Sequence, residues 1–404
     1  MPLVSLDETR DAILAAVPRL PVEPCAIADA VGLVLAADVS TAEPVPPFAN
    51  TAMDGYAVRA ADTVSASADA PVRLRVVGEL PAGVVPTIPV GVGEAIRIMT
   101  GAPMPDGADA VMMVERTERD GDDGVLVHAV AFAGDHIRLP GGDLEAGQVV
   151  FTAGTVLGPA HIGVLASVGA HVVSVHRRIR VGVLSTGDEL VEQGALAPGQ
   201  IRDSNRPMLC ALAAAAGAEV VDLGLARDDE DLIVSVLEDA FTRCDAVLTS
   251  GGVSMGDYDF VKAALDRFGT LEWRQVAIKP AKPLAFGIVR GVPVFGLPGN
   301  PVSSLVSFEL FARPALRSMM GYTECRRVEV VARAAHAVAR RPDGKVHLDR
   351  VRVWWEADGY VAASTGKQES NVLSATAAAN GLALVPDGDG VAEGAPLALV
   401  LLDR

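Results

Sequence analysis

The chain has 404 residues, a formal net charge of −17 and a hydrophobic fraction of 50%. A chain of this length exceeds what one hydrophobic core serves, so two to four domains are expected. The acidic balance excludes non-specific binding to nucleic acid or to anionic membranes, because either would need a basic face. Any anionic ligand must therefore meet a local basic cluster.

The cysteine pattern and the N-terminus both indicate a protein of the cytoplasm. The four cysteines are widely spaced and form neither a CxxC pair nor a dense disulfide framework. Residues 1–10 contain a capping box at Ser5 and Glu8, and they lack the basic-then-apolar order of a signal peptide. The most apolar long segment, 159–175, is interrupted by histidines and glycines, which predicts a short helix and a strand rather than a membrane span.

The N-terminal part is predicted to be poor in helix. The proline-rich stretch 42–48 can form neither a regular helix nor a central strand, so it reads as a linker. From 50 to 143, apolar runs such as 72–77 and 95–99 alternate with turns rich in proline and glycine. This pattern predicts a small β-rich domain.

From residue 179 the pattern changes to alternating strands and helices. Strands are predicted at 179–184, 219–225 and 246–248, and helices at 207–216 and 230–243. This alternation predicts a parallel sheet covered by helices. A strand at 284–288 and a last helix at 302–320 follow, and 328–404 reads as short strands with a hairpin signal at Asp358-Gly359.

The fold class expected from these patterns is a multidomain α/β protein. A central doubly wound, mostly parallel sheet is accompanied by N-terminal helical, linker and β-rich parts and by a small C-terminal β domain. The expected divisions are a helical and linker region at 1–49 and 144–178, a β-rich domain at 50–143, an α/β domain at 179–325 and a β domain at 326–404.

Polar turns follow three of the predicted strands. The turn STGDEL at 185–190 follows the first, Asp228 and Asp229 follow the second, and SGGVS at 250–254 follows the third. Ligands of open α/β sheets bind beyond the carboxyl ends of the strands, so these turns are expected to converge on one edge. Each turn by itself can equally be a connecting loop with an Asp or Ser helix cap. Their repetition at equivalent strand ends favours a site.

The turn at 250–259 combines features that suit phosphate and a cation, although the chain has neither a P-loop nor a dinucleotide fingerprint. Gly251 and Gly252 are expected to leave main-chain N–H groups open to an anion, with Ser254 as a further donor. Asp257 and Asp259 are placed to share a hydrated Mg²⁺. The alternative is that both acids are solvated residues at a helix start.

The basic partner is expected in the segment IKPAKPL at 278–284, where prolines hold Lys279 and Lys282 on a stiff, extended backbone. The segment can also be a plain exposed turn. Soon afterwards GLPGNPVSS at 296–304 opens the last helix, with Asn300 as the expected cap and Pro301 at the first helical position. A helix N-terminus also attracts oxyanions, so capping and binding are compatible there.

Six motifs together resemble one family over nearly the whole chain. They are NTAMDGYAVR at 50–59, MTGAPMP at 99–105, STGDEL at 185–190, SGGVSMGDYD at 250–259, KPAKP at 279–283 and PGNPVS at 298–303. The sequence resembles the molybdopterin molybdenumtransferases, the molybdenum insertases of MoeA type, which include the C-terminal domain of gephyrin. It departs from the family pattern at Gly142, where an acid is usual, and at Ala281, where glycine is usual.

The resemblance implies the last step of molybdenum cofactor synthesis, in which adenylylated molybdopterin and molybdate react with the help of Mg²⁺ and AMP leaves. It also implies a molybdopterin-binding role for the α/β domain and a homodimer, formed by the helical and linker region, with each site shared between subunits. An adenylyltransferase that delivers the substrate is a possible partner.

The resemblance also implies a set of site residues. The expected catalytic residues are Asp54, Thr100, Asp143, Glu189, Asp228, Lys279 and Lys282. The expected substrate contacts are Ser185, Thr186, Gly187, Asp188, Gly251, Gly252, Ser254, Pro298, Gly299, Asn300, Pro301, Ser303, Arg350, Arg352, Ser370 and Ser374. The expected metal ligands are Glu189, Asp257 and Asp259.

Some of these assignments have ordinary structural alternatives. Molybdate is a tetrahedral dianion, which makes Lys282 and the C-terminal arginines and serines its candidate hosts. Arg350 and Arg352 can also be polar positions on a half-exposed strand. Two other activities stay open at this point: a molybdopterin adenylyltransferase, although those proteins have a single domain, and a non-catalytic dimeric scaffold of the gephyrin type.

Overall fold

The computed structural model of the protein describes residues 2–251, 260–269 and 271–402. The chain forms two compact units. The first consists of Met1–Pro24, Gly32–Ala36 and Ser174–Arg404, and the second of Cys25–Val31 and Ala37–Val173. The finer division into four parts expected from the sequence stays a prediction.

A seven-stranded sheet organises the first unit. The strand Pro283–Val289 is antiparallel to both of its neighbours, whereas the four strands on one side of it are mutually parallel. The predicted, mostly parallel sheet is therefore confirmed. The spatial order of the strands is Leu3–Val4, Glu272–Val276, Pro283–Val289, Val292–Leu297, Ala246–Ser250, Arg180–Thr186, Glu219–Ala226.

Both faces of this sheet are buried, because successive side chains of a strand point to opposite sides. Val181 and Val183 pack in one apolar cluster together with Leu209, and Leu184 packs in a second cluster together with Leu237. Leu209 and Leu237 belong to different helices, so the sheet is covered from both sides. The helices of this part are Leu6–Ala16, Asn205–Ala215, Glu230–Arg243 and Phe260–Asp266.

Polar caps begin two of the helices. The Ser5 side chain accepts a hydrogen bond from the main-chain N–H of Glu8, 3.1 Å away, at the start of Leu6–Ala16. Asp229 caps Glu230–Arg243 in the same way. Such a cap satisfies a main-chain donor that has no partner within the helix. The predicted helix starts at both places are confirmed.

The last long helix differs from the expected single α-helix in its middle. Pro301 occupies the first helical position and Asn300 is the N-cap residue, both as predicted, although the Asn300 side chain makes no capping hydrogen bond. The main-chain carbonyl of Asn300 accepts the N–H of Ser304 instead, at 2.9 Å. The segments in order are an α-helix at Pro301–Ser307, a π-helical segment at Phe308–Ala312 and an α-helix at Arg313–Met319.

The C-terminal part of the first unit is a small β-barrel. The long strand Val346–Glu356 pairs with strands on both sides and closes the barrel, and Ile278–Lys279 also pairs with it. The hairpin turn consists of Ala357 and Asp358, one residue earlier than predicted, and a helix at Leu373–Ala378 was not predicted. The barrel strands in order are Val346–Glu356, Gly359–Ser364, Glu329–Ala334, Pro396–Leu401 and Gly381–Val385.

The second unit is rich in β-structure, as expected. Its main feature is a six-stranded sheet whose strands lie in the order Thr117–Asp120, Gly124–Val127, Val72–Leu80, Glu94–Ile98, Gly55–Val58, Ala110–Met113. A helix at Pro159–Ser167 follows in the chain, and the predicted linker 42–48 contains no regular element. Short strands elsewhere in the described chain are Val22–Ala26, Val34–Leu35, Val39–Ser40, Asn50–Thr51, Ile137–Arg138, Val149–Phe151, Val172–His176, Leu190–Val191, Ile201–Arg202, Val338–Ala339 and Gly390–Val391.

Within the described ranges, every helix is too short or too polar to cross a lipid bilayer. The four cysteines, all of which lie in those ranges, form no disulfide bond.

Candidate functional site at the carboxyl edge of the sheet

The side on which successive strands join the sheet reverses at the central strand Arg180–Thr186. The next strand, Glu219–Ala226, pairs on one side of it, and the strand after that, Ala246–Ser250, pairs on the other. Connections that leave a strand to opposite sides open a crevice at the carboxyl ends, where α/β proteins bind ligands. The predicted polar turns at 185–190 and 228–229 lie at that edge, as do Ser250 and Gly251, the described start of the third turn.

The loops at this edge pack so closely that their main-chain atoms contact one another. A Cβ atom added to Gly251 would lie 3.0 Å from the carbonyl oxygen of Thr186, and one added to Gly299 would lie 3.8 Å from the Cα atom of Gly251. Gly251 also has a φ of +95°, which favours glycine. Its N–H is not open to an anion, because it donates to the carbonyl of Leu297 at 3.1 Å, so the prediction is wrong for Gly251.

Three carboxylates crowd the first two loops. The main-chain N–H of Asp188 donates to Asp228 at 3.4 Å, and that of Asp228 donates to Asp188 at 3.3 Å. Burial and the negative charges of Asp188 and Glu189 raise the pKa of Asp228. The Glu189 carboxylate folds back over Gly187, where an added Cβ would lie 2.6 Å from it. A cation would relieve this accumulation of charge.

The lysine segment reaches the same edge of the sheet. Ala285 pairs with Gly296 in antiparallel register, so the strand that follows Lys282 begins where Val292–Leu297 ends. Lys279 and Lys282 are both exposed. Exposure at this edge leaves both ammonium groups open to an anionic ligand.

Residues of the β-barrel approach the start of the last helix. The main-chain N–H of Val302 donates to the carbonyl of Ser370 at 3.1 Å, which brings Ser370 next to the buried Ser303. Arg350 is fully buried and donates to the carbonyl of Glu369 at 3.0 Å. Burial lowers its pKa, and its Nε and Nη1 atoms have no hydrogen-bond partner among the described residues.

The two C-terminal arginines therefore differ. The reading of Arg350 as a polar position on a half-exposed strand is wrong, because the side chain has no exposed surface. Arg352 and Ser374 are exposed. Ser185 also differs from expectation, since its hydroxyl is buried and donates to Asp203 at 3.1 Å beneath the crevice.

The second unit contains three of the predicted catalytic residues, Asp54, Thr100 and Asp143. Both the hydroxyl and the main-chain N–H of Thr100 donate to one oxygen of Asp54, each at 2.7 Å. These two hydrogen bonds lower the pKa of Asp54, and the charge of Arg97 contributes in the same direction. Asp143 is exposed, and its N–H donates to the carbonyl of Val45 at 2.9 Å.

Four predicted site residues lie outside the described part of the chain: Gly252, Ser254, Asp257 and Asp259. Among the residues that are described, no group of three acidic, histidine or cysteine side chains is close enough to hold a metal ion. The proposed metal set therefore depends on Asp257 and Asp259.

Three regions of the chain match known family regions. These are the N-terminal region of MoeA (domains I and II) at residues 4–169, a probable molybdopterin binding domain at 182–318 and the C-terminal region of MoeA (domain IV) at 332–402. The protein named molybdopterin molybdenumtransferase 2 of Mycobacterium tuberculosis is 41% identical over 371 residues, which cover 89% of this chain and 90% of that protein. The chain belongs to the molybdopterin molybdenumtransferase family.

Further comparisons agree with this assignment. The molybdopterin molybdenumtransferase of Haemophilus influenzae is 36% identical and aligns with 94% of this chain and 93% of its own. The crystal structure of the molybdopterin biosynthesis MoeA protein from Pyrococcus horikoshii superposes with a TM-score of 0.82 at 33% identity over the full length of both chains. The family resemblance, the multidomain fold and the class of transferase enzymes, all expected from the sequence, are confirmed.

Sequence reasoning missed two polar residues that this molybdenumtransferase fold packs beneath the crevice, Asp203 and Asn205. They precede the apolar run of a helix, where Asp, Ser and Asn are ordinary capping residues. Asp203 does accept the main-chain N–H of Arg206, at 3.2 Å. The local sequence therefore gives no sign that these residues do more than cap a helix. Their additional hydrogen bonds to neighbouring strand ends are visible only in the folded structure.

Proposed function

We propose that this protein transfers molybdenum from molybdate to adenylylated molybdopterin, with release of AMP, as the final step of molybdenum cofactor synthesis. The observation that carries the proposal is the convergence, at one edge of the α/β sheet, of crowded carboxylates, close-packed glycine loops and the lysine segment 279–283. Family membership supports the choice of this reaction over others that use similar residue types.

The chemistry of the phosphoanhydride suits these residues. Cleavage of that bond needs neutralisation of charge and positioning more than it needs a protein nucleophile. Lys279 and Lys282, exposed beside the crevice, would bind the phosphate oxygens and the leaving AMP. The lack of side chains at Gly251 and Gly299 lets the loops of the crevice pack closely against each other beside the proposed substrate site.

Molybdate would bind near the junction of the barrel and the last helix. A tetrahedral dianion is bound by lysine, arginine, hydroxyl and main-chain N–H donors. Lys282, Arg350 and Ser370 supply these types, together with Ser303 at the helix start. Arg350 is the strongest candidate, because two of its nitrogens lack a partner among the described residues. Arg352 and Ser374, which are exposed, would serve as outer contacts.

Mg²⁺ is proposed as the metal cofactor. Its preferred ligands are oxygen atoms of carboxylates and phosphates, and the crowded Glu189, Asp188 and Asp228 side chains are of this kind. Glu189 would hold the ion together with Asp257 and Asp259. When bound, Mg²⁺ would neutralise phosphate charge.

The second unit would supply Asp54, Thr100 and Asp143 to the substrate. Two hydrogen bonds from Thr100 lower the pKa of Asp54 and hold its carboxylate, which would orient a cation or a donor group. We further propose a cytoplasmic homodimer with sites shared between subunits, and substrate delivery by an adenylyltransferase. The adenylyltransferase activity itself is not favoured, because the family match extends over regions on both sides of the molybdopterin-binding domain.

Calorimetry with AMP, with molybdate and with both tests the proposal and separates it from a scaffold. The expected result is one binding event per chain for each ligand in the presence of Mg²⁺. Lys282→Ala should weaken molybdate binding without a change in the unfolding temperature, because an exposed side chain contributes little to stability. If the wild-type protein bound neither ligand, the non-catalytic scaffold would become the better description.

A further inference from the structure

One side-chain nitrogen joins two of the loops that form the crevice. The amide nitrogen of Asn205 donates to the hydroxyl of Ser250 at 2.7 Å and to the carbonyl of Gly299 at 2.7 Å. Both of its hydrogen atoms are therefore used, and the two acceptors belong to the ends of neighbouring parallel strands. Asn205 is 8% exposed, so water does not compete effectively for these bonds.

The loop that follows the central strand is held by Asp203, which lies two residues before Asn205. The hydroxyl of Ser185, at the end of the central strand, donates to the carboxylate of Asp203 at 3.1 Å. The side chain of Asp203 is 1% exposed and is fixed in turn by the Nε atom of Arg206 at 3.1 Å. Arg206 also contacts Asp222 at 2.6 Å, in the strand on the other side of the central one.

We propose that Asp203 and Asn205 are positioning residues that fix the three crevice loops relative to one another. The two residues together are named the loop tether. The inference rests on the proposed function, because it assigns the tether to the binding of AMP and the adenylylated substrate at these loops. A displacement of about 1 Å at a site of this kind reduces turnover strongly, since binding energy is used to orient the reacting groups.

A feature of Asn205 argues against a role in packing alone. Its carbonyl oxygen is buried and has no hydrogen-bond partner among the described residues. A buried acceptor without a partner costs free energy, which an apolar side chain would avoid. The presence of asparagine at this position is explained by its side-chain amide, whose two N–H groups donate to Ser250 and Gly299.

The test compares Asn205→Ala and Asn205→Asp with the control Ser204→Ala. Asn205→Asp keeps the size of the side chain but removes both donors, and Ser204 makes no capping hydrogen bond in the same segment. Calorimetry with AMP separates the affinity of each site from the fraction of active sites. The tether predicts an affinity at least tenfold weaker with an unchanged number of sites in both Asn205 variants, and no change in Ser204→Ala. Fewer sites of unaltered affinity would show a purely structural role and overturn the proposal.

Ser250→Ala provides the test if the Asn205 variants fail to fold. It removes one of the two acceptors, so a smaller loss of AMP affinity, roughly threefold, is expected. An unchanged affinity in Ser250→Ala would contradict the tether.

Hydrogen exchange at the main chain tests the tether without any ligand. In the Asn205 variants, exchange should become faster in peptides that cover 246–251 and 296–300 and stay unchanged in the second unit. Absence of AMP binding to the wild-type protein would end the proposed function, whereas this measurement would still decide the tether. Equal exchange in wild type and variants would overturn it.

Discussion

The guanidinium group of Arg350 is fully buried and has no exposed surface. Burial lowers its pKa below the ordinary arginine value, yet arginine stays protonated in proteins at neutral pH. Two carbonyls, those of Lys367 and Glu369, accept from one of its nitrogens at 3.2 and 3.0 Å. A buried cation that is only partly satisfied by hydrogen bonds would be stabilised by an oxyanion, which is the physical basis for proposing that molybdate binds at Arg350.

Replacement of this residue separates binding from stability. We expect Arg350→Met to abolish molybdate binding while changing the free energy of unfolding by less than about 2 kcal/mol, because an apolar side chain of similar length removes a desolvated charge. The control is Arg333→Met, which breaks only an exposed ion pair with Glu356 at 2.7 Å. Calorimetry and thermal unfolding provide the two measurements. Molybdate binding that survives in Arg350→Met would remove Arg350 from the site.

Ala281 adopts a backbone conformation that is unusual for a residue with a side chain. Its φ is +71° and it is 3% exposed. The left-handed region costs alanine roughly 1 kcal/mol relative to glycine, and burial of its methyl group contributes about 0.8 kcal/mol in the opposite direction. The family's usual glycine and the alanine of this chain are thus nearly equivalent in stability.

Two substitutions at Ala281 test this balance. Ala281→Gly should leave the unfolding temperature almost unchanged, whereas Ala281→Val should destabilise the protein by about 2 kcal/mol or more, since a β-branched side chain is strained at positive φ and overfills a buried position. Differential scanning calorimetry measures both. A valine variant as stable as the wild type would refute the conformational argument.

At the scale of loops and strands, the site brings together carboxylates that repel one another. Asp188, Glu189 and Asp228 come from two loops at adjacent strand ends, and their mutual repulsion adds to burial in raising the pKa of Asp228. A raised pKa means that the folded state holds its proton more tightly than the unfolded state does. Stability is therefore lost as the pH rises from the ordinary value of 3.8, and the loss is complete above the folded-state pKa.

We therefore expect Asp228→Asn to increase the stability of the fold by an amount that depends on pH. The variant should unfold at a higher temperature than the wild type at pH 7, and the difference should disappear as the pH falls towards 3.8, the ordinary carboxyl value, where the wild-type side chain is protonated. Millimolar Mg²⁺ should stabilise the wild type more than Asp228→Asn. Asp229→Asn is the control, because asparagine also caps a helix well. A pH-independent difference would contradict the assigned cause.

At the scale of the whole molecule, the predicted site residues fall into both compact units. Asp54 and Thr100 belong to the second unit, and Lys282 belongs to the first. We propose that a homodimer assembles each site from the second unit of one subunit and the first unit of the other. Two symmetric sites then exist in each dimer.

Mixing of two inactive variants tests this arrangement. Asp54→Asn and Lys282→Ala are each expected to be folded and nearly inactive. If the sites are shared, a mixed dimer contains one doubly damaged site and one intact site, so random exchange of subunits should restore about a quarter of wild-type activity. If each site lies within one chain, every site keeps a lesion. Verified exchange without recovery of activity would exclude the shared site.

The sequence by itself determined most of the larger elements and their order along the chain. Alternating apolar residues and caps such as Asp229 are local signals, and the boundaries of Glu230–Arg243 follow from them directly. The polar turns at the strand ends were predictable for the same reason, since parallel strands must present their carboxyl ends at one edge. The family assignment rested on short motifs, which are also local.

Only the tertiary structure decided how each polar group is used. The N–H of Gly251 is taken by Leu297, and the Arg350 side chain is buried, because both depend on neighbours that lie far away in the chain. The same reason hid the loop tether, since the cap-like Asp203 and Asn205 acquire a second role only when Ser185, Ser250 and Gly299 are folded against them. Hydrogen-bond partners across long sequence separations are set by packing, which no local pattern encodes.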